Sequence, residues 1–119
     1  MNIQELYEFC LSKKGATEHF PFDKDTLVFK VGAKMFCVTS LKGFENGNPS
    51  LNLKCNPEKA LELRAEYEAV KLGYHMSKVH WNLVSFNKDI SSKMIYELIN
   101  HSYELVFKSL TKKVQNEIQ

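Results

Sequence analysis

Residues Thr26–Leu41 read TLVFKVGAKMFCVTSL, two runs of alternating character around Gly32-Ala33, and this stretch decides the fold class. In the first run Leu27, Phe29 and Val31 fall on one face, and Val28 with Lys30 on the other. In the second, Met35, Cys37, Thr39 and Leu41 oppose Phe36, Val38 and Ser40. Such a pair predicts a β-hairpin and so an antiparallel sheet. Lys30 and Lys34 flank the turn, either as the solubilising charges of a hairpin tip or as phosphate contacts of a wing.

Upstream, Ile3, Leu6, Tyr7, Cys10 and Leu11 recur at helical steps. They predict an amphipathic helix from an Asn2 cap to a stop at Gly15. The connection GATEHFPFDKD, residues 15–25, reads as a polar loop whose Phe20-Pro21-Phe22 anchors it to the core. Downstream, KGFENGNPS, residues 42–50, is the strongest turn signal in the chain. A third strand over Leu51–Cys55 turns Leu51, Leu53 and Cys55 inward and leaves Asn52 and Lys54 outward. Asn56-Pro57 starts a helix reaching about Tyr67.

The stretch EAVKLGYHMSKVHWNLVSF, residues 68–86, divides into a strand near Ala69–Tyr74, a turn around Met76–Lys78 and a strand over Val79–Phe86. Ser91 or Ser92 caps a last helix, in which Ile95, Leu98, Ile99, Ser102, Leu105, Val106 and Leu110 form the buried stripe. The order α-β-β-β-α-β-β-α predicts a two-layer α+β fold. Its antiparallel sheet of about five strands carries helices on one face, leaving the other face partly open. With no repeat, linker or low-complexity segment, residues 1–119 read as a single domain.

Composition agrees with an ordinary globular chain. The 119 residues are 44% hydrophobic and 25% charged, and a chain of this length buries roughly two-thirds of its unfolded surface. The apolar runs are far shorter than the ~20 residues of a membrane span. The start, MNIQELYEFC, lacks the basic and apolar blocks of a signal peptide. A cytoplasmic location is expected. Cys10, Cys37 and Cys55 are an odd number at no metal-like spacing, and are read as buried free thiols. A net charge of +2 permits a nucleic-acid partner without requiring one.

No phosphate loop, nucleophile elbow or zinc motif is present in the sequence. His75 and His80, with Cys55 or His19, could meet at a metal only if the fold supplied three convergent ligands, and the spacing does not enforce this. A pairing of Cys37 or Cys55 with either histidine is weakened by the inward position of both thiols. No catalytic residue, metal or cofactor is assigned. The constellation with most chemistry is Tyr74, His75, Lys78, His80 and Trp81, which mixes flat faces with donors. Against it, Trp81 is the better candidate for the core beneath the last helix.

Four blocks carry a resemblance: HFPFDKDTLVFKVGAKMF, LNLKCNPEKALELR, GYHMSKVHWNLV and HSYELVFKSLTKK. In this order they closely resemble the MmcQ/YjbR family of small bacterial proteins, over nearly the whole chain. The departures are Leu72, Ser77 and Thr111, where proline, asparagine and proline are common. The resemblance implies a two-layer α+β domain like those of secretion chaperones and frataxin-type proteins, with no known reaction or cofactor. It also implies DNA binding, a family expectation drawn from the shape of a double-wing motif.

Two functions follow as expectations. The first is a non-enzymatic nucleic-acid-binding module using Lys30, Lys34, Lys54, Tyr74, His75, Lys78, His80 and Asn82, with weak, salt-sensitive DNA affinity. The second is a protein- or peptide-interaction module of secretion-chaperone type, using the open sheet face. An unrecognised enzyme or small-molecule binder would instead require a deep pocket holding His75 or His80.

Overall fold

The computed structural model describes residues 1–74 and 76–119; His75 lies outside the described residues. In chain order the elements are α1 (Ile3–Leu11), β1 (Ala16–His19), β2 (Thr26–Val31), β3 (Lys34–Ser40), α2 (Leu41–Glu45), β4 (Ser50–Lys54), α3 (Pro57–Glu66), β5 (Val70–Leu72), β6 (Trp81–Ser85), α4 (Ser92–Ser109) and α5 (Lys112–Ile118). Among the described residues six strands form one antiparallel sheet in the order β1-β2-β3-β4-β6-β5. The α+β class, the antiparallel sheet and its open face are as expected.

The strand count rises from about five to six because Ala16–His19, read as loop, pairs with β2 from Ala16↔Val31 to His19↔Val28. Thr17, Glu18 and His19 are exposed, so this edge strand has no apolar alternation to display. Two further differences are local. Ser40 accepts a hydrogen bond from the Gly43 N–H and starts helix α2 inside what reads as turn sequence. The chain after Leu110 forms a separate helix, with the Thr111 side chain accepting from the Val114 N–H.

Alternation holds along β2 but breaks in β3. Phe29 pairs with Cys37 and Lys30 with Met35, leaving Phe36 as the extra residue of a bulge. Phe36 and Cys37 therefore both enter the core, and Met35 stays on the open face. The core row Leu27–Thr39–Leu51–Val84–Val70 follows from the strand registers. Leu6 and Cys10 of α1, Ala60 and Leu63 of α3, and Ile95, Leu98, Ile99 and Val106 of α4 pack with the apolar residues of that row. The capping box of Asn2 with Glu5 and the Asn56 cap with Pro57 start α1 and α3.

Two neighbouring side chains of α4 make polar contacts that tie it to the sheet and to the start of α3. Ser102 of α4, fully buried, accepts from the Lys54 N–H at 2.9 Å and donates to the Phe36 carbonyl at 2.5 Å. It thus bridges β3 and β4 beside the bulge, where their regular pairing stops at Cys37↔Leu53. At the preceding residue, His101 Nε2 accepts from the Asn56 N–H at 3.2 Å, and so that nitrogen must be unprotonated. Burial and the nearby Lys59 ammonium push the His101 pKa below its ordinary value, against the opposing pull of Glu104.

Replacing Ser102 by Ala leaves the Lys54 N–H and Phe36 carbonyl without this partner, and should lower stability by about 1–3 kcal/mol in urea unfolding. Because the folded pKa of His101 is depressed, its contribution is fully present above the unfolded value of 6.5 and is lost as pH falls through the folded one. NMR titration should therefore place His101 below 6.5. The variant H101Q should lose less stability than the wild type on acidification across that window.

Candidate functional site

Helices α1, α3 and α4, flanked by α2 and α5, close one face of the sheet; two loops only partly cover the other. The first loop carries Phe20 and Phe22, which are 43% and 65% exposed, so the expected anchoring of this segment in the core does not occur. Aspartates hold the loop instead. Asp23 Oδ1 accepts from the Asp25 and Thr26 N–H groups at 2.9 and 2.6 Å. Asp25 accepts from Ser40 Oγ at 2.6 Å and from the Lys42 N–H at 2.8 Å. These hydrogen bonds hold both carboxyls below the usual carboxylate range, so both are anionic at neutral pH.

The second loop joins β5 to β6. Gly73 N–H donates to the Trp81 carbonyl at 3.1 Å, and Trp81 N–H to the Ser77 carbonyl at 3.0 Å. Glycine is required at position 73 by proximity, since an added Cβ would lie 2.7 Å from Trp81 Cβ. Asn52, on the open face of β4, accepts from the Tyr74 N–H at 2.9 Å and draws the loop over the sheet. Lys78 Nζ closes the loop on itself by donating to the Gly73 carbonyl at 2.6 Å.

Between these walls lies a groove of about 600 Å³. Val38, Asn52 and Leu83 form its floor, Met35 one end, and Phe22, Tyr74 and Met76 its rims; Asp23, Asp25 and Ser40 line the far end. Beyond Met35 a second recess of about 390 Å³ is bordered by Lys30, Lys34, Lys54 and Trp81. Trp81 is buried, but it pairs with Lys54 and shares the face of Leu83, while Val84 points into the helical core. It therefore packs on the open face of the sheet and not beneath the last helix.

The structure thus brings together Lys30, Lys34 and Lys54 around Trp81, and sets Tyr74 at the groove rim, 64% exposed. Lys78 is spent bracing its own loop, and His80 is exposed and belongs to neither set of lining residues. Asn82 is 2% exposed on the opposite face. It accepts from Arg64 Nη1 at 2.5 Å and donates to the Ala60 carbonyl at 3.4 Å, fastening α3 to the sheet. His75 lies outside the described residues. Phe22, Met35, Val38, Met76 and Leu83 were not among the candidates; the legible signal was that LVF at 27–29 and FCV at 36–38 are apolar on both faces.

Nucleophile chemistry finds no support in the thiols. All three cysteines are free and buried. A hydrogen bond with Cys10, together with burial, raises the Cys37 pKa well above its ordinary value, and burial raises that of Cys55. Among the described residues no three His, Cys, Asp or Glu side chains are placed to hold a metal ion. No helix among them is long and apolar enough to cross a membrane.

The fold and the groove define a two-layer α+β domain with a partly open sheet face. The chain belongs to the YjbR family, whose model matches residues 11–105. It is 39% identical to protein YbdF of Escherichia coli O157:H7 over 101 residues, 84% of this chain and 80% of that one. It is 33% identical to protein YjbR of Escherichia coli K12 over 104 residues, 87% and 86% of the two chains. The crystal structure of a Deinococcus radiodurans protein with domain DUF419 superposes with a TM-score of 0.89 at 33% identity, covering 98% of this chain and 87% of that one. A crystal structure from Pseudomonas syringae gives 0.74 at 26% identity, covering 89% and 99%.

The two asparagines of the central strands should separate under mutation. Asn82→Ala removes the buried partner of Arg64 and the Ala60 carbonyl and should cost about 1–3 kcal/mol in denaturant unfolding. Tyr74→Ala, at a rim position that is 64% exposed and whose backbone N–H is retained, should cost less than Asn82→Ala in the same measurement.

Proposed function

We propose that this YjbR-family protein is a non-enzymatic interaction module that takes a protein or peptide segment on the open face of its sheet. The observation that supports this reading best is the groove between Phe22 and Tyr74, with an apolar floor at Val38 and Leu83 and large aromatic side chains left exposed at its rims. A soluble domain leaves such side chains together on one surface when they have a partner to cover. Met35 and Met76 add unbranched, polarizable side chains that adapt to varied apolar partners.

A second reading, nucleic-acid binding, draws support from the convergence of Lys30, Lys34 and Lys54 around Trp81 and from the family resemblance. A basic rim beside an aromatic platform suits a single strand. The ionised Asp23 and Asp25 in the groove weigh against a phosphate backbone running its whole length.

Short random peptides displayed on phage and panned against the wild type should yield binders whose affinity falls about tenfold or more on the double variant F22D/Y74D. Both positions are exposed, so the variant should keep the wild-type circular dichroism. If no peptide is enriched, and an oligothymidylate binds with steep salt dependence that K30E/K54E removes and F22D/Y74D leaves intact, the interaction-module reading gives way to the nucleic-acid one.

A further inference from the structure

The groove and the lysine recess are adjacent, with Met35 lining both. Their charges are also opposed. At one end Asp23 and Asp25 are held ionised by backbone and hydroxyl donors. At the other, Lys30, Lys34 and Lys54 border a single recess with little to neutralise them. Lys34 Nζ reaches only the Ser109 hydroxyl, at 3.5 Å. The Lys30 and Lys54 ammonium groups have no hydrogen-bond or ion-pair partner among the described residues. Like charges gathered without a counter-charge repel one another, and an incoming anion relieves that repulsion.

Resting on the interaction-module reading, we propose that the partner is an extended peptide segment, apolar along the groove and acidic at one end, with its carboxylates seated among Lys30, Lys34 and Lys54. The apolar side chains lie over Val38 and Leu83 between Phe22 and Tyr74. The chain passes Met35, and its acidic end meets the lysines beside the indole of Trp81. The carboxylates of Asp23 and Asp25 enforce this polarity by repelling an acidic end placed at their side. A polyanion gains at the lysines but loses at the aspartates, since its charges recur along its length; a segment charged at one end meets only the favourable pole.

The test uses two fluorescein-labelled peptide pools with the same randomised Leu, Ile, Val and Phe core. One pool ends in two aspartates with a free carboxylate, and the other in two lysines with an amide. Fluorescence polarisation at low and moderate salt should show the acid-ended pool binding about tenfold tighter or more, with the margin shrinking as salt is added. K30E/K54E, and separately K34E, should shrink or reverse that preference, while F22D/Y74D should weaken both pools. Equal binding of the two pools, lost on F22D/Y74D, would overturn the acidic-end assignment and leave the interaction-module reading standing. No binding of either pool would overturn both. Displacement of the acid-ended pool by an oligothymidylate at lower concentration than by the same peptides unlabelled would overturn the assignment in favour of a polyanion.

Discussion

The β3 bulge at Phe36 and the buried hydroxyl of Ser102 are the constraint on which the two faces of the sheet depend. One extra residue sends Phe36 and Cys37 into the helical core together, and it leaves Met35 on the opposite face across from Lys30. Such an insertion interrupts the ladder and would leave main-chain groups unpaired in the interior. Ser102 answers this by taking the Lys54 N–H and giving its own proton to the Phe36 carbonyl. A helix side chain thereby completes the sheet. The same device positions α4 over β3 and β4 and sets Lys30, near the hairpin tip, beside the recess it shares with Lys54 and Trp81.

From that arrangement the chain acquires one closed face and one half-closed face. The closed face is conventional packing, with α1, α3 and α4 over apolar strand residues and two fixed polar ties at Ser102 and Asn82. The half-closed face is built differently. Val28 and Val38 are buried there although no helix covers them, and the walls are loops held by Asp23, Asp25 and Asn52 rather than by apolar anchors. Polar side chains that satisfy backbone donors free the aromatic residues of the same loops to face outward. Phe22 and Tyr74 are exposed for this reason. The aspartates that brace one wall also make that end of the groove anionic, so the loop architecture and the charge polarity of the surface have a single cause.

The elements legible from the sequence were those with a strong period. The hairpin, the strand at Leu51, the Asn56-Pro57 helix start and the long last helix all carry alternation or a helical stripe backed by a turn or cap. β1 was not legible because an exposed edge strand buries too little to impose a pattern. Trp81 was misplaced because large aromatic residues are buried in most folds, and alternation alone does not say which face of a two-sided sheet the helices take. Of the site candidates, Lys30 and Lys54 lie on the open face as their outward registers implied, whereas Lys34, at the hairpin turn, pairs with the core residue Val31 and reaches toward Ser109 of α4. Lys78 and Asn82 were read by residue type, whereas their roles are set by a carbonyl within the loop and by Arg64 across the fold.

The sequence by itself determined the class: an antiparallel sheet with amphipathic helices on one side, a chain of average composition, and inward thiols. Period, turn chemistry and capping are local properties, and neighbouring residues suffice to state them. Only the tertiary structure decided that Phe22 and Tyr74 face each other across a groove, that Trp81 belongs to the lysines rather than the core, and that Asp23 and Asp25 oppose them. These are relations between segments distant in the chain. They depend on strand order, on one bulge and on which backbone groups need a partner, and none of the three is recorded in the spacing of residues along the sequence.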